Sequence, residues 1–252
     1  MSDIHLASYL NDLLDVLQRE LANNLHGVYL FGSAGSGAYE PGCSDVDVYA
    51  VIHRPELATN YYAELARKLS HHGSLSCPAR KLEFVLFTKA NAAAQTSHPR
   101  FELNFNTGRD MDTDYVNTDP AAEPDFWFLL DIASGRERGT ALHGPPPAEV
   151  FAAPKIEWIL DCIVESLDWH RRSGPVTSDG ILNSCRALRF AKTGQWGSKR
   201  EGGNWAIGYY MKPDIVALAL DARLSKAELP QNDAIDFLDR VQLEVEQCRV
   251  GI

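Results

Sequence analysis

Hydrophobic positions along the chain fall into two regimes. Up to about residue 145, helical spacing alternates with short, dense apolar runs, whereas beyond Pro154 only helical spacing remains. The first helix is predicted over residues 4–22, where Leu6, Leu10, Leu13, Leu14, Leu17 and Leu21 recur every three or four positions and Ser2 or Asp3 is available as the N-cap. His26-Gly27 reads as its end. An apolar strand is predicted at residues 28–31, then a loop that opens with Gly32-Ser33 and carries glycines at 35, 37 and 42, then a strand from Asp45. Residues 55–72 read as a second helix with Leu57, Tyr61, Leu65 and Leu69 on one stripe, closed by Gly73.

A third strand is predicted at residues 81–88, with Leu82, Phe84 and Leu86 on one face and Glu83, Val85 and Phe87 on the other. Phe101, Leu103 and Phe105 alternate and suggest a further strand. An acidic loop follows, holding Asp110, Asp112, Asp114, Asp119, Glu123 and Asp125, and then a helix at residues 126–135. The segment GTALHGPPP marks a strand end and a linker, and its three prolines at 145–147 are the best domain boundary, giving domains at 1–148 and 149–252. In the second domain Ile156, Ile159, Ile163 and Leu167 form one helical stripe. Thr177, Ser178 and Asp179 offer caps for a helix carrying Leu182, Cys185, Leu188 and Phe190 and ending at Gly194. Further helices are predicted at residues 205–210, 213–223 and 233–249, the last with Ile235, Leu238, Val241 and Val245 inward. The fold class is therefore α+β: a mixed sheet with helices, followed by a C-terminal helical bundle.

Composition narrows the class. An apolar content of 45% over 252 residues suits a globular protein with a proper core. The N-terminus lacks the basic-then-apolar pattern of a secretory signal, and no apolar run approaches the ~18 residues of a membrane span. Five cysteines at 43, 77, 162, 185 and 248, without CxxC spacing, fit reduced thiols in a cytoplasmic protein rather than a zinc site or disulfide framework. Net charge is −10, which argues against a nucleic-acid enzyme needing a basic track and agrees with a small cationic partner. A monomer is the expected state.

The chemistry concentrates between residues 28 and 52, VYLFGSAGSGAYEPGCSDVDVYAVI. On a strand Asp45 and Asp47 project together, while Val46 and Val48 point the other way into a core. Two adjacent carboxylates repel each other unless a cation sits between them. Such hard oxygen ligands suit Mg²⁺, commonly held by one or two carboxylates plus substrate phosphates. Gly32-Ser33 offers backbone N–H groups and a hydroxyl where a triphosphate could lie. The bland alternative is a strand start with two exposed aspartates behind a glycine-rich loop. Glu83 is a single carboxylate on an otherwise apolar strand, costly to bury without a partner; it either joins the aspartates or faces water at a sheet edge. Asp110-x-Asp112-x-Asp114 is not an EF-hand, because Tyr115 and Ala121 stand where Gly and Glu are required.

Gly-Ser, a variable loop and Asp-x-Asp within an apolar run resemble the signature of the polymerase-β-type nucleotidyltransferases. The second domain narrows this. Leu182-Asn183 with Arg186, Thr193-Gly194, Ser198-Lys199 and Trp205-Ala206, together with GSAGSG, SDVDV, LEFVLF and ALHGP, resemble the aminoglycoside adenylyltransferases that modify streptomycin and spectinomycin. The resemblance implies Asp45 and Asp47 as the magnesium pair and Glu83 as the catalytic base. It implies Gly32, Ser33, Ser44, Arg186 and Lys199 as nucleotide-binding residues, and ATP as the AMP donor. Asp110 and Asp125 are the candidates for binding a cationic acceptor. Two other readings stand beside it: the same chemistry on a metabolite or protein hydroxyl, and a nucleotide-sensing relative without catalysis, which the presence of all three carboxylates speaks against.

Overall fold

The structure is a computed structural model that describes residues 4–56, 58, 60–211, 214–225 and 227–250. The predicted N-cap at Ser2 or Asp3, the stripe position Leu57 and the helix start at Pro213 lie outside the described residues. Two compact units divide between Ala153 and Pro154, past the triproline. Among the described residues no helix is long and apolar enough to cross a membrane.

The first unit is built on a six-stranded sheet. Its strands are β1 (Leu25–Leu30), β2 (Val46–Ile52), β3 (Leu82–Thr88), β4 (Leu103–Thr107), β5 (Tyr115–Asn117) and β6 (Thr140–His143), in the order β5-β4-β3-β2-β1-β6. Only β2 and β3 run parallel. The helices are α1 (Ile4–Leu21), the single turn α2 (Gly32–Gly35), α3 (Tyr61–Leu69), the turn α4 (Lys89–Ala92), α5 (Asp125–Arg138) and the turn α6 (Pro147–Val150). The leucine stripe of α1 buries Leu6, Leu13, Leu17 and Leu21 together with Tyr9 against Val46, Val48, Leu82, Phe84 and Leu86. The opposite face carries Tyr29, Tyr49, Val85 and Phe87 and is covered by Phe128 and Ile132 of α5 and by Phe151. The alternation read from the sequence therefore assigns the faces of β2 and β3 correctly, whereas Phe101, read in alternation with Leu103 and Phe105, lies ahead of β4 and packs with the other core cluster.

Several boundaries differ from the sequence reading, each for a local reason. Ala22 adopts φ 45° and ends α1 in a 3₁₀ turn, so β1 starts at Leu25 and His26-Gly27 lie inside it. Gly27 is tolerated there because the Tyr29 ring lies over it: a Cβ at 27 would come within 2.1 Å of the phenol oxygen. The helix predicted from residue 55 begins only at Tyr61. Ahead of it, the Asn24 side chain bonds to Arg54 and Glu56, and the Glu56 N–H donates to Tyr62 Oη, so that backbone is satisfied without a helix. The acidic loop holds strand β5, clasped by Tyr115, Asn104 and Asn117, which all donate to Glu123 Oε1. Pro147 is buried at the first turn of α6 and is not part of a free linker.

The second unit contains α7 (Ile156–Arg172), α8 (Ser178–Thr193), α9 (Lys199–Tyr209), α10 (Asp214–Ser225) and α11 (Gln231–Val250). Thr177 caps α8 through the Gly180 N–H, and Gly194 closes it in the left-handed conformation with φ 69°. The sequence reading placed α9 only at residues 205–210, whereas the helix starts at Lys199 and runs through Gly202-Gly203. These glycines are points of close approach: a Cβ on Gly202 would lie 2.7–2.8 Å from backbone and Cβ atoms of Arg186 on α8, and one on Gly203 2.9 Å from Leu182. Ile156 and Ile235, predicted inward, are each 37% exposed, and α11 buries Ala234 and Phe237 instead.

Gly135 on α5 gives a direct test of the first unit's packing. A Cβ there would meet the Phe31 ring at 2.5 Å, and that ring is fully buried and stacked 4.6 Å from Tyr49. Alanine would gain about 1 kcal/mol of helix propensity but overpack the core at a cost of about 1–3 kcal/mol. Gly135→Ala is expected to lower the urea midpoint; an unchanged or higher midpoint would show that the ring moves freely.

Candidate active site

The parallel pairing of β2 with β3 places Asp47 directly opposite Glu83. Asp45 stands just before β2, two residues from Asp47 and on the same face. This is the face covered by α5, which adds a carboxylate that the sequence reading passed over. Asp131 accepts a hydrogen bond from Tyr49 Oη at 3.1 Å. A signal for it existed, since Asp131 is the lone charge in the apolar run FWFLLDIAS. The structure thus brings Asp45, Asp47 and Glu83 together and adds Asp131.

The chain turns tightly against this face. The Phe31 N–H donates to the Asp47 carbonyl at 2.9 Å, and Gly32 adopts φ +54°. A Cβ on Gly32 would lie 1.8 Å from Asp47 Oδ2, so only glycine fits between the turn and the carboxylate. Ser33 follows, half-buried in α2, and its carbonyl accepts from the Ala38 N–H at 2.8 Å. Ser44 is buried, and its hydroxyl accepts from the Glu40 N–H at 3.0 Å, pinning the end of the loop just ahead of Asp45.

Electrostatics reflect the crowding of like charge. Burial pushes the Asp47 carboxyl well above its ordinary range; the charges of Glu83 and Asp131, a hydrogen bond with Glu83 and the charge of Asp45 push it further. Burial and Asp131 raise the Tyr49 phenol in the same way, so Tyr49 remains a donor. Lys81 forms an ion pair with Glu83. Burial alone would lower its ammonium, but the charge and hydrogen bond of Glu83, with Asp45 and Asp47 behind them, hold it above its ordinary value. Among the described residues no three His, Cys, Asp or Glu side chains are grouped so as to hold a metal ion by themselves. The oxygen donors nonetheless fit Mg²⁺, which needs only one or two carboxylates when phosphates supply other ligands.

The remaining candidates sit on other elements. Asp110 is bonded by Arg80 at 3.0 Å and by Arg109 at 3.2 Å. Asp125, the first residue of α5, meets His98 Nδ1 at 2.6 Å. In the second unit, Arg186 lies on α8, and Lys199 opens α9 with its Nζ 2.7 Å from Asp179 Oδ1. Beside them, His170 is drawn down to about 4 by burial, then by the charges of Lys199 and Arg186, and its Nε2 lies 3.1 Å from Asn183 Nδ2.

A carboxyl whose pKa is raised on folding adds stability below its unfolded pKa, and that stability is lost as pH rises through the folded value. Metal-free protein therefore carries an electrostatic cost at neutral pH that Asp47→Asn removes. The variant is expected to melt above wild type at pH 7–8 in chelator, with the gap closing as pH falls toward 4. A variant melting below wild type at neutral pH would contradict the assigned strain.

The family model described as "nucleotidyltransferase domain" matches residues 10–91, a span that includes Gly32, Ser33, Asp45, Asp47 and Glu83. No curated protein matches the chain. Among solved structures, the spectinomycin adenyltransferase AAD(9) from Enterococcus faecialis, crystallised with ATP and spectinomycin, aligns over 95% of this chain and 99% of its own, with a TM-score of 0.70 and 17% identity. The CD-NTase CdnG of Bradyrhizobium diazoefficiens in complex with GTP aligns over 97% of this chain and 85% of its own, at a TM-score of 0.34 and 12% identity. Residues 10–91 thus match a nucleotidyltransferase domain, and the chain as a whole carries the fold seen in AAD(9).

Proposed function

We propose that the protein transfers AMP from ATP to a hydroxyl of an aminoglycoside-type antibiotic such as streptomycin or spectinomycin, releasing pyrophosphate. The observation that carries this reading is the pairing of Asp47 with Glu83 across β2 and β3, beside Asp45 and directly beneath the Gly32-Ser33 turn. The acceptor oxygen bonds to the α-phosphorus as the α–β phosphoanhydride breaks, and the acceptor proton passes to Glu83 as general base. Asp45 and Asp47 would hold magnesium, which when bound supplies positive charge against the phosphates. Gly32 and Ser33 line the turn where the triphosphate lies, and Ser44 fixes the loop that leads into Asp45. Phosphate binding by Arg186 and Lys199 is assigned on the resemblance alone.

An antibiotic acceptor is supported by the spectinomycin bound to AAD(9) and by this chain's net charge of −10, whose field draws in a polycation. Asp110 and Asp125 are proposed to meet the acceptor's ammonium groups, exchanging for it their present partners, Arg80 and Arg109 on Asp110 and His98 on Asp125.

Two variants test the chemistry. Asp47→Asn is expected to abolish AMP transfer by deleting a metal ligand. Glu83→Gln is expected to bind ATP as wild type does while kcat falls about 10²–10⁴-fold, the usual reach of a general base; unchanged turnover removes Glu83 from that role. The acceptor is tested by calorimetric titration of streptomycin, then spectinomycin, into Glu83→Gln with ATP and Mg²⁺ present. Binding of either drug that depends on ATP is the expected result. If ATP binds and neither drug does, the acceptor is another hydroxyl.

A further inference from the structure

The acidic face contains a basic side chain that none of the proposed steps uses. Lys81 immediately precedes β3 and shares a strand face with Glu83 two positions later. Its carbonyl accepts the N–H of Val46 at 3.0 Å, which sets the start of its side chain beside the stretch between Asp45 and Asp47. Its ammonium is ion-paired with Glu83 Oε1. The root of the side chain is also closely backed: a Cβ on Gly108 would lie 2.4 Å from Lys81 Cα and 2.9 Å from its Cβ, so the backbone after β4 lies directly against that of Lys81. The neighbouring Arg80 is used differently, bonding to Asp110 at 3.0 Å and to the Cys43 carbonyl at 3.4 Å.

We propose that Lys81 is a tethered cation which occupies the acidic face before substrate arrives and keeps a divalent ion from loading there without nucleotide. The proposal rests on the assignment of Asp45 and Asp47 as the metal pair. The physical argument is competition for the same negative charge. An ammonium on Glu83 stands within a few ångströms of the position opposite Asp47, and like charges at that separation repel strongly in a partly desolvated site. A triphosphate brings charge of its own, which offsets the ammonium and contributes further oxygen ligands, so the ion enters with the nucleotide. That order fits the arrangement seen, in which no three donors are grouped to hold an ion alone among the described residues. Lys81 is a positioning residue in this scheme: it sets when the metal binds and takes no proton from the acceptor.

The test reads metal binding and needs no turnover. MnCl2 is titrated into nucleotide-free wild type, Lys81→Met, Lys81→Gln and Lys81→Arg, with free Mn²⁺ followed by electron paramagnetic resonance and folding checked by thermal melts. The titrations are then repeated with α,β-methylene-ATP, which cannot transfer AMP. Wild type and Lys81→Arg are expected to bind Mn²⁺ weakly until nucleotide is added. Lys81→Met is expected to bind it at least about tenfold more tightly without nucleotide, the effect of removing one nearby charge. Lys81→Gln, which keeps a hydrogen-bond donor for Glu83 but no charge, should behave like Lys81→Met and decides the question if the methionine variant fails to fold. Nucleotide-free affinities equal in wild type and both neutral variants overturn the proposal. Failure of wild type to take up Mn²⁺ with the analogue would instead overturn the nucleotidyltransferase reading, while the nucleotide-free comparison still decides the role of Lys81.

Discussion

Asp47 and Glu83 face each other across the one parallel strand pair of the sheet, and the placement of neighbouring groups answers to that opposition. Two carboxylates in register, with Asp45 and Asp131 close by, cost folding energy that an apolar pair would not. The structure meets that cost locally. Lys81 pairs with Glu83, Tyr49 donates to Asp131, and Asp47 is pushed toward its protonated form. Gly32 gives up a side chain so that the turn can lie against the Asp47 carboxylate. Each feature answers to the crowding of negative charge on this face.

The scaffold beneath is correspondingly rigid. On the far side of β2 and β3, Val46, Val48, Leu82, Phe84 and Leu86 are fully buried against the stripe of α1. On the near side Phe31, Tyr49 and Phe87 stack in series, with Phe151 set edge-on to Tyr49 and Phe87. Apolar packing on both faces fixes the strand register, because a slip of one residue would turn every side chain of β3 to the wrong face. The register that buries Phe84 is the same one that sets Glu83 against Asp47. Stability of the core and geometry of the site are thus one constraint read from two faces of a sheet.

Much of this was legible in the chain. Alternation in LEFVLF assigns Glu83 to the face opposite Leu82 and Phe84, and alternation in SDVDV sets Asp45 and Asp47 on one face before any fold is known. Thr177 and Gly194 mark the ends of α8 because capping is decided by a few adjacent residues. Where the reading failed, the deciding atoms came from distant sequence. The short extent of α3 depends on Asn24 bonding to Arg54 and Glu56, and the full length of α9 depends on Arg186 lying against Gly202. Alternation put Lys81 on the face of Glu83, but its ion pair with Glu83 and the approach of Asp131 from α5 depend on tertiary packing.

The sequence by itself determined the fold class, the helix stripes and the faces of β2 and β3, since periodicity and capping are properties of neighbours along a chain. The tertiary structure alone decided that Asp47 is opposed by Glu83, that Asp131 from α5 joins them, and that Lys81 stands among them as a cation. Those facts depend on strand register and on which helix covers which face. They arise from packing between segments far apart in sequence, where side chains meet only after the core has formed.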